Sequence, residues 1–103
     1  MVTVTRHARR RVRERVGIPA RAVQRYAETA YNDGLRHGEL TGGLARYIDG
    51  VYLSKRKAND IRVYGEYAFL FQDAVLITII NLPNRDKRTA RQLQKGAGNE
   101  HTD

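Results

Sequence analysis

Apolar residues are distributed along this chain in two regimes. From Thr5 to Lys57 they recur three and four positions apart, the spacing of helix faces; from Ile61 to Leu82 they run in short blocks separated by polar pairs, the pattern of strands and tight turns. The first helix is expected to begin near Thr3 or Thr5, either of which can cap, and to stop at Gly17. At 100° per residue, Thr5, Ala8, Val12 and Val16 lie within about 40° of one line, with Arg9 and Arg15 on its shoulders and Arg6, His7, Arg10, Arg13 and Glu14 pointing away. A second helix opens at Ile18-Pro19, buries Val23, Tyr26 or Ala27, Ala30 and Tyr31, and closes at Asp33-Gly34. Tyr26 and Tyr31 are chemically able to stack on bases, but their place on the apolar stripe makes packing the expected role.

Leu35 to Gly43 holds three glycines and no helical period, so it reads as a connector carrying His37, Glu39 and Thr41; its G-E-L-T-G-G run lacks the lysine and spacing of a nucleotide-binding loop. Residues 44–57 admit two readings. Asp49-Gly50 between apolar residues is a hairpin signal, whereas Leu44, Tyr47, Ile48, Val51 and Tyr52 complete a helical face. The helix is preferred, since one interior glycine costs only about 1 kcal/mol, and Lys55, Arg56 and Lys57 then fall in its last turn. Ile61–Tyr64, Gly65-Glu66 and Tyr67–Gln72 form a hairpin, and a turn near Asp73 leads to a third strand, Ala74–Leu82, apolar on both faces and hence central or covered twice, which Pro83 ends. The expected fold is therefore α+β: three N-terminal helices followed by a three-stranded antiparallel β-meander as a single domain over residues 1–83. Residues 84–103 form a basic, partly disordered C-terminal tail whose start has helical character.

A chain of 103 residues fits one domain, and the absence of cysteine removes disulfides and thiolate zinc sites. With no apolar leader and no run long enough to span a bilayer, a cytoplasmic location without membrane association is expected. Charge changes the picture more. Residues 1–26 carry eight arginines against Glu14, a net +7, while residues 27–83 sum to −1 and the remainder to +2. A basic face on a near-neutral body is the footprint of a binder of nucleic acid or of another acidic surface. The face is built from Arg6, His7, Arg9, Arg10, Arg11, Arg13 and Arg15. Arginines four apart in this segment repel by roughly 0.2–0.5 kcal/mol per pair, offset only by Arg10 with Glu14, and a counter-charge would relieve them.

Two sets of residues are candidates for catalysis. His7, Arg10 and Glu14 share one helical line and supply an acid–base group, a phosphate ligand and a carboxylate, although His7 and Glu14 stand about 10 Å apart along the axis. Arg62, Tyr64 and Thr78 could form a second cluster on strands, with Arg62 on phosphate and Tyr64 as proton donor; the other roles open to Arg62 are a surface strand residue and a partner of Asp60 or Glu66. No metal site and no cofactor are implied: His7, His37 and His101 are far apart in the chain, and Ser54 is the one serine, beside Lys55–Lys57. Tyr47, Tyr52, Tyr67 and Phe69 are the residues from which an apolar patch pairing two copies into a homodimer would be built.

The segments H-A-R-R-R-V-R-E-R-V-G-I, A-N-D-I-R-V-Y-G-E-Y-A-F-L-F and L-I-T-I-I-N-L-P together resemble a group of small, uncharacterised proteins carried by bacterial phages and integrated elements, over most of residues 5–83. The resemblance implies a mobile-element setting and no established activity. More distantly, helices followed by an antiparallel sheet are similar to the RelE and colicin D type of metal-independent ribonuclease, an architectural likeness that carries no catalytic residue. The leading expectation is a small basic protein that contacts the phosphates of RNA or DNA through its first helix. The alternatives are a metal-independent ribonuclease or toxin, and an inhibitor whose basic helix occupies an acidic groove on a host protein or blocks a ribonucleoprotein.

Overall fold

The computed structural model describes residues 1–102, with side chains described through Gly96. In chain order the elements are β1 (Thr3–Val4), α1 (Arg6–Val16), α2 (Ala20–Asp33), a 3-10 turn (His37–Glu39), α3 (Gly42–Ser54), β2 (Asp60–Tyr64), β3 (Tyr67–Gln72), β4 (Val75–Asn81) and α4 (Asn84–Thr102). The sheet order is β1-β4-β3-β2, with β2, β3 and β4 antiparallel and β1 parallel to β4. The α+β class and the β2–β3–β4 meander are as expected. Two elements change the detail. Four α-helices stand in place of three, and β1 makes the sheet four-stranded and mixed rather than a three-stranded antiparallel meander. A two-residue strand has no period to read; β1 exists because Thr3 and Thr5 donate their N–H groups to the Ala74 and Leu76 carbonyls at 3.0 and 3.1 Å.

The sheet is covered on both faces. On one side α1 and α2 bury Ala8, Val12, Val23, Ala27 and Ala30 against Phe69, Phe71, Leu76 and Ile79, with Val2 of the N-terminus sealed in the same core. On the other, Leu44, Ile48 and Val51 of α3 and Ala90 of α4 close over Ile61, Val63, Ala68 and Leu70. Alternation along β3 sends Phe69 and Phe71 to the first core and Ala68 and Leu70 to the second. Strand β4 lies between β1 and β3, which accounts for its apolar composition on both faces. Within the segment expected as a tail, Ala90 is buried and Leu93 packs on the α3 core. The disorder expected of about the last eight residues falls on positions that, beyond Gly96, are described by backbone alone, as the end of α4; their side chains lie outside the described residues.

Local signals set the boundaries. Thr5 caps α1 by accepting the Ala8 N–H at 3.0 Å, and Gly17 ends it at φ 81°, a conformation that penalises residues with a Cβ. Pro19 precedes α2 as its cap residue. Gly34 ends α2 for a different reason: its φ of −65° suits any residue, but a Cβ there would sit 2.4 Å from the Ala30 carbonyl oxygen and 3.2 Å from Arg62 Cβ. The helical reading of residues 44–57 holds, with Asp49-Gly50 inside α3. Lys55 to Lys57 do not form its last turn, however. Lys55 is the cap residue, its N–H bonded to the Val51 carbonyl, and the next two begin the turn toward β2.

The β2–β3 turn has Gly65 at φ 60°, and Tyr64 pairs with Tyr67 across it. The β3–β4 turn places Asp73 and Ala74 at φ 50° and 64°, a left-handed pair without glycine. Asn59 holds it from outside: its amide donates to Asp73 Oδ1 at 2.9 Å and accepts the Asp73 N–H at 3.2 Å.

Candidate nucleic-acid interface

Helix α1 rests on β4 through Ala8 and Val12, both fully buried, with Val16 half-buried. The opposite ridge is solvent-facing: Arg6, His7, Arg10, Arg13, Glu14 and Arg15 are exposed, while Arg9 and Arg11 are half-buried on the flanks. Arg15, expected on a shoulder, is thus turned further out than its angle implied; it donates to Asn81 Oδ1 at 3.0 Å. Glu14 pairs with Arg11 at 3.9 Å and not with Arg10. Arg6, Arg9, Arg10 and Arg13 have no carboxylate partner among the described residues. Arg13 and Arg15 stand in the last turn, where the helix dipole favours cations. The Tyr67 hydroxyl donates to the Arg15 carbonyl at 2.9 Å and fixes that end of the helix to β3. Between the ends of α1 and α2, Arg10, Arg13, Glu14, Gly17, Ile18 and Pro19 line an open depression of 630 Å³.

The catalytic candidates separate. His7 Nε2 lies 3.4 Å from Thr78 Oγ1 on β4. A register irregularity between Leu70 and Phe71, which pair with Thr78 and Leu76, leaves an extra residue in β4. Ile77 is that extra residue; beyond it Thr78 pairs with Leu70 and Ile79 with Phe69, Ile79 in the core under α1 and α2. No sequence signal announces that bulge, nor the approach of His7 to Thr78 across 71 positions of the chain. Arg62 and Tyr64 lie on β2, two strands from β4 and so roughly 10 Å away in the sheet. Arg62 is 7% exposed and is a partner of Asp60, not a surface residue: Nε and Nη2 donate to the two carboxylate oxygens at 2.9 and 2.8 Å, Nη1 donates to the Tyr31 carbonyl, and the guanidinium lies 4.4 Å from the Tyr31 ring centre. The bonds to Asp60 raise its pKa above the ordinary value, against the effect of burial. Tyr64 packs edge-on against Tyr26 and Phe69.

The tyrosines of α2 that could stack on bases are packed instead: Tyr26 on Tyr64 and Phe69, Tyr31 on Phe71. Burial, then the neighbouring Tyr67 and Tyr64 hydroxyls, push Tyr26 up to about 12. The apolar patch expected to pair two copies does not assemble either. Phe69 is fully buried, and Tyr52 accepts the Ile61 N–H.

A second polar cluster arises where the sequence reads as a plain connector. His37 Nε2 meets Asp49 Oδ1 at 2.5 Å on an exposed surface beside Tyr52. Among the described residues no three His, Cys, Asp or Glu side chains converge in a way that would hold a metal ion, and no helix is long and apolar enough to cross a membrane. Comparison of the chain with protein-family models, with curated proteins and with solved structures gave no match.

Proposed function

We propose that the protein binds nucleic acid through the outer ridge of α1, contacting phosphates with Arg6, Arg10 and Arg13 at the centre, His7 beside them, and Arg9, Arg11 and Arg15 on the flanks. The observation that carries this reading is the unused donor capacity of the ridge. Of the six arginines of α1 only Arg11 has a carboxylate partner among the described residues, so five uncompensated positive charges are concentrated on one eleven-residue helix. A helix with this self-repulsion gains most from a polyanion, which supplies counter-charge and releases condensed ions. A small basic protein of a phage or mobile element, acting in the cytoplasm on RNA or DNA, fits both the ridge and the resemblance of its sequence segments. The salt dependence of binding to labelled RNA and DNA tests it. Log affinity falls steeply with log salt, and Arg10→Ala with Arg13→Ala flattens the duplex slope by about two units, near 0.9 for each phosphate no longer neutralised. Salt-independent affinity, or none for any RNA or DNA, would sink the reading.

A second reading, a metal-independent ribonuclease, is favoured by one observation: Thr78 of β4 lies 3.4 Å from His7, the only histidine on the ridge. There His7 would act as acid or base and the adjacent arginines would hold the scissile phosphate. Incubation with total RNA in EDTA separates the two. Cleavage abolished by His7→Ala and weakened by Thr78→Val supports the enzyme; intact RNA over a broad dose range removes it.

A further inference from the structure

The face of the sheet away from α1 carries a groove that the nucleic-acid reading does not use. Gly43, Arg46, Tyr47, Gly50, Val51, Ser54 and Lys55 recur at three- and four-residue steps along α3 and form one wall. Ile80 of β4 forms the floor, and Arg85 with Asp86 closes the end. The two connected parts measure 490 and 460 Å³ and share Arg46 and Tyr47. From Gly43 to Lys55 the wall runs about 18 Å. Ile77 and Ile80 are only half-buried there, so α3 and α4 leave this edge of the sheet incompletely covered.

Two features have no explanation within the chain. Gly50 stands in the middle of α3 at a cost of about 1 kcal/mol relative to alanine, yet a Cβ at that position would meet nothing within 4 Å. Asp86 is 3% exposed and its Oδ2 lacks a hydrogen-bond partner among the described residues, although its place in the first turn of α4 favours the charge. Burial and the Asp86 charge together raise the pKa of Tyr47. A glycine without an internal reason, facing an apolar floor, marks a place where another backbone can approach closely. An unsatisfied carboxylate at the end of the same groove marks a place for an N–H donor.

We propose that this groove docks an acidic, amphipathic peptide segment of a partner protein, with its apolar side on Val51, Ile80 and the open surface of Gly50 and its carboxylates on Arg46, Lys55 and Arg85. Charge complementarity selects this occupant, because the rim residues Arg46, Lys55 and Arg85 are all cationic and exposed. A second copy of a chain with net charge +8 would bring like charge to that rim. A nucleic-acid strand would meet aliphatic side chains and one half-buried tyrosine in place of a row of stacking rings. The proposal is independent of the α1 reading, since the two surfaces lie on opposite faces of the sheet.

The test is selection of a displayed library of random 12-residue peptides on the full chain, followed by titration of a synthetic enriched peptide in 0.15 M salt. Enriched sequences are expected to carry net negative charge with apolar residues three and four apart. Gly50→Leu, which fills the groove and favours the helix, weakens binding at least tenfold while the melting temperature stays or rises. Arg46→Glu with Lys55→Glu weakens it likewise, and Arg10→Ala with Arg13→Ala leaves it unchanged. Any of four results overturns the proposal: no enrichment, or enrichment without acidic bias; binding indifferent to Gly50→Leu; a dimer that Gly50→Leu abolishes; or oligonucleotide binding that depends on Gly50→Leu rather than on the α1 arginines.

Discussion

The ridge of α1 and the contact between α2 and β2 both place arginine on an ordered element, and they use it in opposite ways. On the ridge, Arg6, Arg10 and Arg13 stand in solvent with their donors uncommitted among the described residues. At the second contact Arg62 bridges β2 and α2, its guanidinium shared between Asp60, the Tyr31 carbonyl and the Tyr31 ring. Charge count alone treats these side chains alike. The difference lies in which donors remain: a guanidinium with every donor directed inward contributes to the fold, and one with none so directed is available to a ligand.

That contrast is most directly broken at Arg62. Arg62→Ala leaves the Asp60 carboxylate and the Tyr31 carbonyl without their donor, and urea denaturation should show a loss of about 3 kcal/mol. A loss near zero would mean that the buried arginine is as dispensable as a surface one. The same region should respond to alkali. Tyr26 is held neutral in the fold, with its pKa raised to about 12 from 10.0. Its contribution is complete below pH 10 and is lost as pH rises toward 12, because the unfolded chain ionises first. Stability followed by circular dichroism should decline through that window, and Tyr26→Phe should make the decline shallower. The smallest effect belongs to the ridge. Arg10→Ala should change stability by no more than about 0.5 kcal/mol, in the stabilising direction at low salt, where it relieves the repulsion of Arg6. In 1 M salt the difference should vanish; a large loss there would show that Arg10 is a packing residue.

Sequence periodicity reveals what depends on neighbours in the chain. Thr5 and Gly17 bound α1 as expected, the exposed set Arg6, His7, Arg10, Arg13 and Glu14 emerges from the angular placement, and the polar pair Gly65-Glu66 locates the β2–β3 turn. Long-range determinants are not legible in it. The pairing of β1 with β4 joins residues 3 and 4 to 75 and 76 and has no local pattern. The extra residue in β4 is concealed by a run of mostly apolar side chains, and the approach of Thr78 to His7 joins positions 71 residues apart. The burial of Arg62 is hidden for another reason. Its partner Asp60 is two positions away, but the Tyr31 carbonyl and ring arrive from α2, so only the assembled fold distinguishes it from an exposed strand arginine.

The parallel pairing of β1 with β4 also fixes an order of events in synthesis. Val2 and α1 are made before the strand they settle on, which follows about 70 residues later, a delay of roughly 4–14 s at 5–20 residues per second. The hairpin of β2 and β3 closes over short loops and needs no such wait. The basic helix is therefore made well before the strand it packs on, and for those seconds its apolar stripe is as open to solvent as its arginines.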